Sequence, residues 1–287
     1  MKSRACSCVY CGSGTLVPML QISARFLSFV TGIPDTSRYT GSLRARTAEL
    51  DDPDRKRRYN RKLFSVVAPR YDVVTLLLSL GSDARWKRRL VRMLPIQVSG
   101  TLIDIATGTG DIAGMLAERY PDARVVAVDL NPGMIARARR RLRRFGRRVE
   151  LMEGDMSKLP VENGTAAVIT GGYAIRNAPS VDTTVAELAR VLQPGGRVAL
   201  LDFARSANRA AFAVQYRLLR LWGQLWGVLL HGDPEVYGYI ARSLARFPDR
   251  GAFHELLASH SLRVVRTERF YFGMLESVLA VKEPGER

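Results

Sequence analysis

The residues best suited to chemistry begin with TLIDIATGTGDIAG (101–114), where a β-rich run ends in a turn holding Gly108 and Gly110. Without side chains there, backbone N–H groups at the start of the following helix can approach a bound group closely. Asp129 stands 19 residues beyond Gly110, at the end of a second β-rich run. A carboxylate so placed accepts hydrogen bonds from both hydroxyls of a ribose. Gly108, Gly110 and Ala113 also fit the dinucleotide fingerprint, so a nicotinamide dinucleotide and S-adenosyl-L-methionine both answer to these residues.

Three further features favour the second. Asp104 lies inside the first run, four residues before Gly108, giving Asp-x-x-x-Gly-x-Gly, which looks like the first motif of class I methyltransferases. Gly154-Asp155-Met156, after a third run, resembles the acidic turn that meets the adenine ring in those enzymes, its carboxylate receiving the exocyclic amine. None of the ten tyrosines has lysine four residues on, so the Tyr-x-x-x-Lys of short-chain dehydrogenases is absent.

Groups at the ends of successive strands need a frame that brings those ends together. Short β-rich runs at 101–106, 124–130, 148–152, 165–170 and 196–203 alternate with helices from Asp111, from Pro132 and over 181–192. Alternation of this kind means an α/β fold, a mostly parallel sheet with helices on both faces. Apolar residues at three- and four-residue steps predict N-terminal helices over 55–95, with Ser82 or Asp83 as an N-cap. Two long helices and a shorter one over 207–260 read as an insertion covering the substrate, and LRVVRTERF and MLESVLAVK as an antiparallel pair that places an antiparallel C-terminal strand at the sheet edge. The domain is expected over 55–285, and residues 1–54, serine- and arginine-bearing without sustained period, as a poorly ordered leader or targeting segment.

Composition bounds the rest. The chain has 287 residues, 47% of them hydrophobic, and a formal charge of +17 that is almost all arginine. Such a charge attracts nucleic acid, anionic lipid or acidic substrates without choosing among them. Cys6, Cys8 and Cys11 are the only cysteines, so the body has no thiol nucleophile or disulfide; their spacing is ligand-like, but no fourth ligand stands nearby, and no metal site is expected. A body without cysteine fits a reducing, cytoplasmic setting; no run of 18 apolar residues occurs, so no membrane span is expected, with membrane association left open.

FSVVAPRYDVVTLLLSLGSDARWKRRL (64–90), GGYAIRNA (171–178), RVLQPGGRVALLDFARS (190–206) and YGYIARSLARFPD (237–249) resemble segments of the ubiquinone/menaquinone biosynthesis C-methyltransferases, the UbiE or MenG type, from about Arg58 to Lys282. The resemblance implies a class I, Rossmann-like sheet and methyl transfer to a prenylated quinol ring. It places Thr109 beside the glycines on S-adenosyl-L-methionine, Asp129 on the ribose, Asp155 and Met156 on the adenine, and Gly172 near the cofactor. Departures are Val74-Thr75 for Met-Asn, Asp83 for His, Gln193 for Lys, Asp202 for Glu, and Ala204 and Gly172 for Ser.

A ring carbon beside a quinol hydroxyl becomes nucleophilic once that hydroxyl loses its proton, so a cation should stand near the oxygen. Arg176 is the candidate, its competing role being a structural ion pair with an aspartate; Tyr173 is placed to bond the acceptor or to pack. His231 is a candidate general base. Trp222 and Trp226, with Leu218, Leu219, Leu225 and Leu229, form a stripe that suits buried core, a lid on the acceptor or contact with a bilayer surface. The arginine run at 134–148 suits a solvated face, and anionic lipid second. Expected partners are thus a lipophilic quinol, an anionic membrane surface and a second copy in a homodimer. Nucleic acid is disfavoured in two forms: no Asn-Pro-Pro-Tyr follows the fourth strand, and no body cysteine can attack cytosine. A methyltransferase for another small molecule, lipid or RNA, and an inactive cofactor-binding homologue, stay open.

Overall fold

The structure, a computed structural model, describes residues 50–284; the leader expected over 1–54, with its three cysteines, lies outside the described residues apart from its last five. Helices α1 (Pro53–Val67), α2 (Tyr71–Leu78) and α3 (Asp83–Met93) precede the sheet. Asp52 caps α1 by accepting from Arg55 N, and Pro53 occupies the first turn, where a missing N–H is harmless. Of the two residues proposed to open α3, Ser82 occupies the cap position and Asp83 the first turn.

Five parallel strands follow: β1 (Thr101–Ile105), β2 (Arg124–Asp129), β3 (Val149–Glu153), β4 (Ala166–Gly172) and β5 (Leu192–Phe203). Their crossovers include α4 (Asp111–Arg119), α5 (Pro132–Leu142) and α6 (Val181–Val191). After β5 come α7 (Arg209–His231), α8 (Glu235–Arg246) and α9 (Arg250–Ser259), then β6 (Leu262–Phe270) and β7 (Leu275–Lys282). The strand order is β3-β2-β1-β4-β5-β7-β6. Strands β1, β2 and β4 are near-continuous Val, Ile, Leu and Ala because both faces are covered. Ile103, Ile105 and Ile169 pack against the α6, α8 and α9 side; Leu102, Val125 and Val168 pack against the α3 and α4 side.

The antiparallel element at the C-terminal edge is a pair of strands, and the last strand lies one place in from the edge, between β5 and β6. Burial explains the order: β7 is buried at its first six positions, whereas β6 carries Arg263, Arg266, Glu268 and Arg269, charges that suit an exposed rim. The 207–260 insertion is helical as expected, with α7 pressed on α8 through Gly223. A Cβ there would lie 2.5 Å from Tyr237 O, so only glycine permits the contact. Among the described residues, no single helix is long and apolar enough to cross a membrane.

The order in which strands are added reverses between the parallel neighbours β1 and β4, and in such sheets a crevice opens beyond the strand carboxyl ends at that point. The candidate residues gather there.

Candidate functional site

Beyond β1 the backbone turns left-handed at Ala106, Gly108 and Gly110, with φ of 45°, 58° and 87°. At Gly110 a Cβ would lie 2.7 Å from Leu142 Cδ1, so the turn needs glycine twice over, for its dihedral and for α5. Two buried carboxylates hold the turn. Asp104 accepts from the Thr107 hydroxyl at 2.6 Å, the Thr170 hydroxyl at 2.7 Å and Ala113 N at 3.2 Å. Asp129 accepts from Gly108 N and Asn131 N, each at 2.8 Å. Burial pushes each up to about 6, against the pull of those hydrogen bonds.

Asp129 lines a small cavity of about 70 Å³ with Gly108, Asp155, Met156 and Gly172. Residues Arg57, Asn60 and Phe64 of α1 strap across it. Arg57 pairs with Asp155 at 2.5 Å, and the amide of Asn60 donates to Asn177 O at 2.6 Å. Asp155 also accepts from Ser157 N and the Ser157 hydroxyl; burial opposes its ionisation, but these bonds and Arg57 hold it below the usual carboxylate range.

A larger, mainly apolar cavity of about 530 Å³ adjoins this slot. Phe64, Tyr71, Tyr173 and Asn177 line both and form the wall they share. Its walls include Leu63, Trp86, Leu218, Trp222 and Tyr237, with Arg176 as the cation among them. Arg176 is buried: its Nε lies 3.1 Å from Asp202, its N–H donates to the same carboxylate at 3.0 Å, and Nη1 donates to the Ser243 hydroxyl at 2.7 Å. The aspartate pairing weighed against an acceptor role is therefore present, and Arg176 lines the acceptor-sized space as well. Tyr173, at φ 57°, sits where cavity and slot meet; burial and the neighbouring Asp83 carboxylate push its phenol well above the ordinary range. Its O–H stays protonated.

Five of the eight residues expected on the cofactor (Gly108, Asp129, Asp155, Met156 and Gly172) line the slot. Asp104, Thr109 and Gly110 stand behind it. Asp104 braces the turn, the Thr109 hydroxyl donates to Asp72 of α2 at 2.8 Å, and Gly110 packs on Leu142. His231 lines neither cavity; its Nε2 meets the Tyr237 hydroxyl at 2.8 Å, and burial, then Arg70, pushes it down to about 4. A histidine that is neutral and that shielded does not suit a base.

Tyr71 and Asn177 stand in segments that carry the family resemblance, 64–90 and 171–178, whereas Arg57 and Asn60 lie outside every such segment. The signal for Asn60 is an amide among the buried positions of α1, with Tyr59, Leu63 and Val67. A nucleoside suits the groups lining the slot: the Asp129 carboxylate, which can accept from hydroxyls, and the acidic turn at Asp155, which can accept from an amine. Asn60, buried, interacts with the buried Tyr239 hydroxyl as well as with Asn177 O, which fixes its amide at the edge of the slot.

Comparison with known proteins agrees with this geometry. Residues 53–282 match the ubiE/COQ5 methyltransferase family. The chain is similar to the demethylmenaquinone methyltransferase of Thermus thermophilus, 38% identical over 214 residues covering 74% of this chain and 96% of that one. The ubiquinone/menaquinone biosynthesis C-methyltransferase UbiE of Rubrivivax gelatinosus is 34% identical over 232 residues, 78% of this chain and 87% of that one. Among solved structures, a methyltransferase described as putative from Bacillus halodurans superposes with a TM-score of 0.54 at 18% identity, covering 71% of this chain and all of that one, a likeness of fold.

Proposed function

The chain belongs to the ubiE/COQ5 methyltransferase family, and from that premise we propose that it methylates a ring carbon of a prenylated quinol, a demethylmenaquinol or a ubiquinol precursor. S-adenosyl-L-methionine is its cofactor and supplies, when bound, a methyl group made electrophilic by the sulfonium.

The residues divide the task. Asp129 would hold the ribose hydroxyls, and Asp155 with Met156 the adenine end. Tyr71 and Tyr173, common to slot and cavity, would screen the junction from water and set the distance between the two reactants. Arg176, fixed by Asp202 and Ser243, would stabilise the phenolate of the acceptor once its proton has left. The apolar walls of the larger cavity would take the start of the prenyl tail. Because that tail partitions into lipid, peripheral contact with an anionic membrane surface belongs to the proposal. A homodimer does not follow from the site, since one chain lines both cavities.

The observation that carries this reading is a carboxylate-bearing slot sharing the wall of Phe64, Tyr71, Tyr173 and Asn177 with an apolar cavity that holds a buried arginine. Purified protein given methyl-labelled S-adenosyl-L-methionine should label the ring of demethylmenaquinol or of the ubiquinol precursor, resolved by mass spectrometry. Binding of S-adenosylhomocysteine with no turnover of either acceptor would favour the inactive, cofactor-binding reading instead.

A further inference from the structure

Resting on the reading that the acceptor carries a prenyl tail, we infer that the protein docks on an anionic lipid bilayer through the mouth of its larger cavity, with α7 along the surface and Phe272 inserted as an anchor. Helix α7 is apolar on two faces. One packs on α8; on the other, Val214, Leu218, Leu221, Leu225 and Val228 recur at three- and four-residue steps and are 49 to 66% exposed. An apolar stripe of that length left in water marks an interaction surface.

The turn between β6 and β7 adds a second feature. Tyr271, Phe272 and Gly273 take φ of 46°, 54° and 84°, and Phe272 is fully exposed. Left-handed backbone is unfavourable for bulky residues, and an aromatic ring held out in water returns nothing to the fold.

Both features converge on the α2–α3 junction. Trp222 Nε1 of α7 donates to Leu78 O at 3.3 Å, and the Tyr271 hydroxyl donates to Ser79 O at 3.1 Å. Between them Leu80 is exposed and lines the cavity, as do Leu218, Leu221 and Leu225. The stripe and the cavity interior are one continuous apolar surface.

Charge selects the occupant. Helix α7 carries Arg209, Arg217 and Arg220 and no acidic residue, and Arg85 and Arg88 are exposed on α3 just past the junction. Cations rimming an apolar patch match anionic headgroups over acyl chains. A second copy meeting this face about a two-fold axis would set arginine against arginine.

Vesicles of phosphatidylcholine with and without phosphatidylglycerol test the assignment by co-sedimentation. The protein should bind the mixed vesicles preferentially, and Phe272→Ser with Val214→Ser and Val228→Ser, none of them a cavity residue, should lower partitioning by roughly ten- to a hundredfold or more, given the transfer free energy of each side chain. Phe272→Trp should keep binding and shift its emission to the blue on mixed vesicles. The triple variant should methylate a tail-less, water-soluble quinol at the normal rate and lose turnover of quinol embedded in vesicles. Equal binding by the triple variant, or an unshifted Trp at 272, would overturn the docking face. So would a change from dimer to monomer in the triple variant without any vesicle binding, which would give the stripe to a second copy. Vesicle binding through Phe272 with no methyl transfer to any quinol would instead leave the docking face standing and refute the acceptor assignment.

Discussion

Asp129 is held in place by two backbone donors, and burial opposes its ionisation. Buried and pushed up to about 6, it must be ionised to accept from a ribose. A raised carboxylate holds its proton as pH falls through 6, so affinity for S-adenosylhomocysteine should be full above about pH 7 and fall by roughly tenfold per unit below 6, followed by calorimetry. Asp129→Ala should weaken binding by about 10- to 150-fold at pH 7.5 and flatten that dependence, a loss of hydrogen bonds to a charged group. A pH-independent affinity in the unaltered protein would remove Asp129 from the sugar. Arg176 is predicted to act on the acceptor alone. Arg176→Met should lower single-turnover methylation by roughly 10²- to 10³-fold with binding of S-adenosylhomocysteine unchanged, as expected where a charge is stabilised only as reaction proceeds. At this scale the sequence exposed the carboxylates, because an aspartate at a strand end is a spacing. It did not show that Asp104, inside β1, faces Thr107 and Thr170 while Asp129, at the end of β2, faces the slot, because a place along a strand does not name the neighbours its side chain meets.

Among the elements, α1 and the α7–α8 pair do most to shape the site. Crossover helices and parallel strands were legible because runs of Val and Ile ending in Gly or Asp admit few other folds. The position of α1 was not: helical period gives its face, with Tyr59, Leu63 and Val67 inward, but nothing local says that this face crosses the slot, where Arg57 reaches Asp155. The arginine run shows the same limit. Arg137 donates to Pro69 O, Arg141 pairs with Asp72 and Asp111, and Arg144 pairs with Glu118, so part of an expected solvated face ties α5 to α2 and α4. The α7–α8 contact offers a direct test. Gly223→Ala places a methyl group 2.5 Å from Tyr237 O, and separating the helices should destabilise the protein by about 1 to 3 kcal/mol, a fall in Tm of roughly 2 to 12 °C by calorimetry. An unchanged Tm would mean that α7 moves freely against α8.

For the molecule as a whole, the larger, mainly apolar cavity predicts how the acceptor is valued. Each buried CH₂ is worth about 0.8 kcal/mol, so deleting a single five-carbon prenyl unit from a short-tailed quinol should lower kcat/KM by roughly 30- to 700-fold, allowing for partial burial. Steady-state kinetics on a tail-length series checks it, and a flat series would detach the larger cavity from the tail. The order of the sheet bears on how the protein is made. Strand β7 fills the gap between β5 and β6 yet emerges from the ribosome after both. Until it arrives, β5 presents an open ladder of Val198, Leu200 and their neighbours to solvent, and the sheet can close only once β7 has been synthesised. A nascent chain stalled before β7 should therefore lean on chaperones and resist proteases poorly, whatever the soundness of its first five strands.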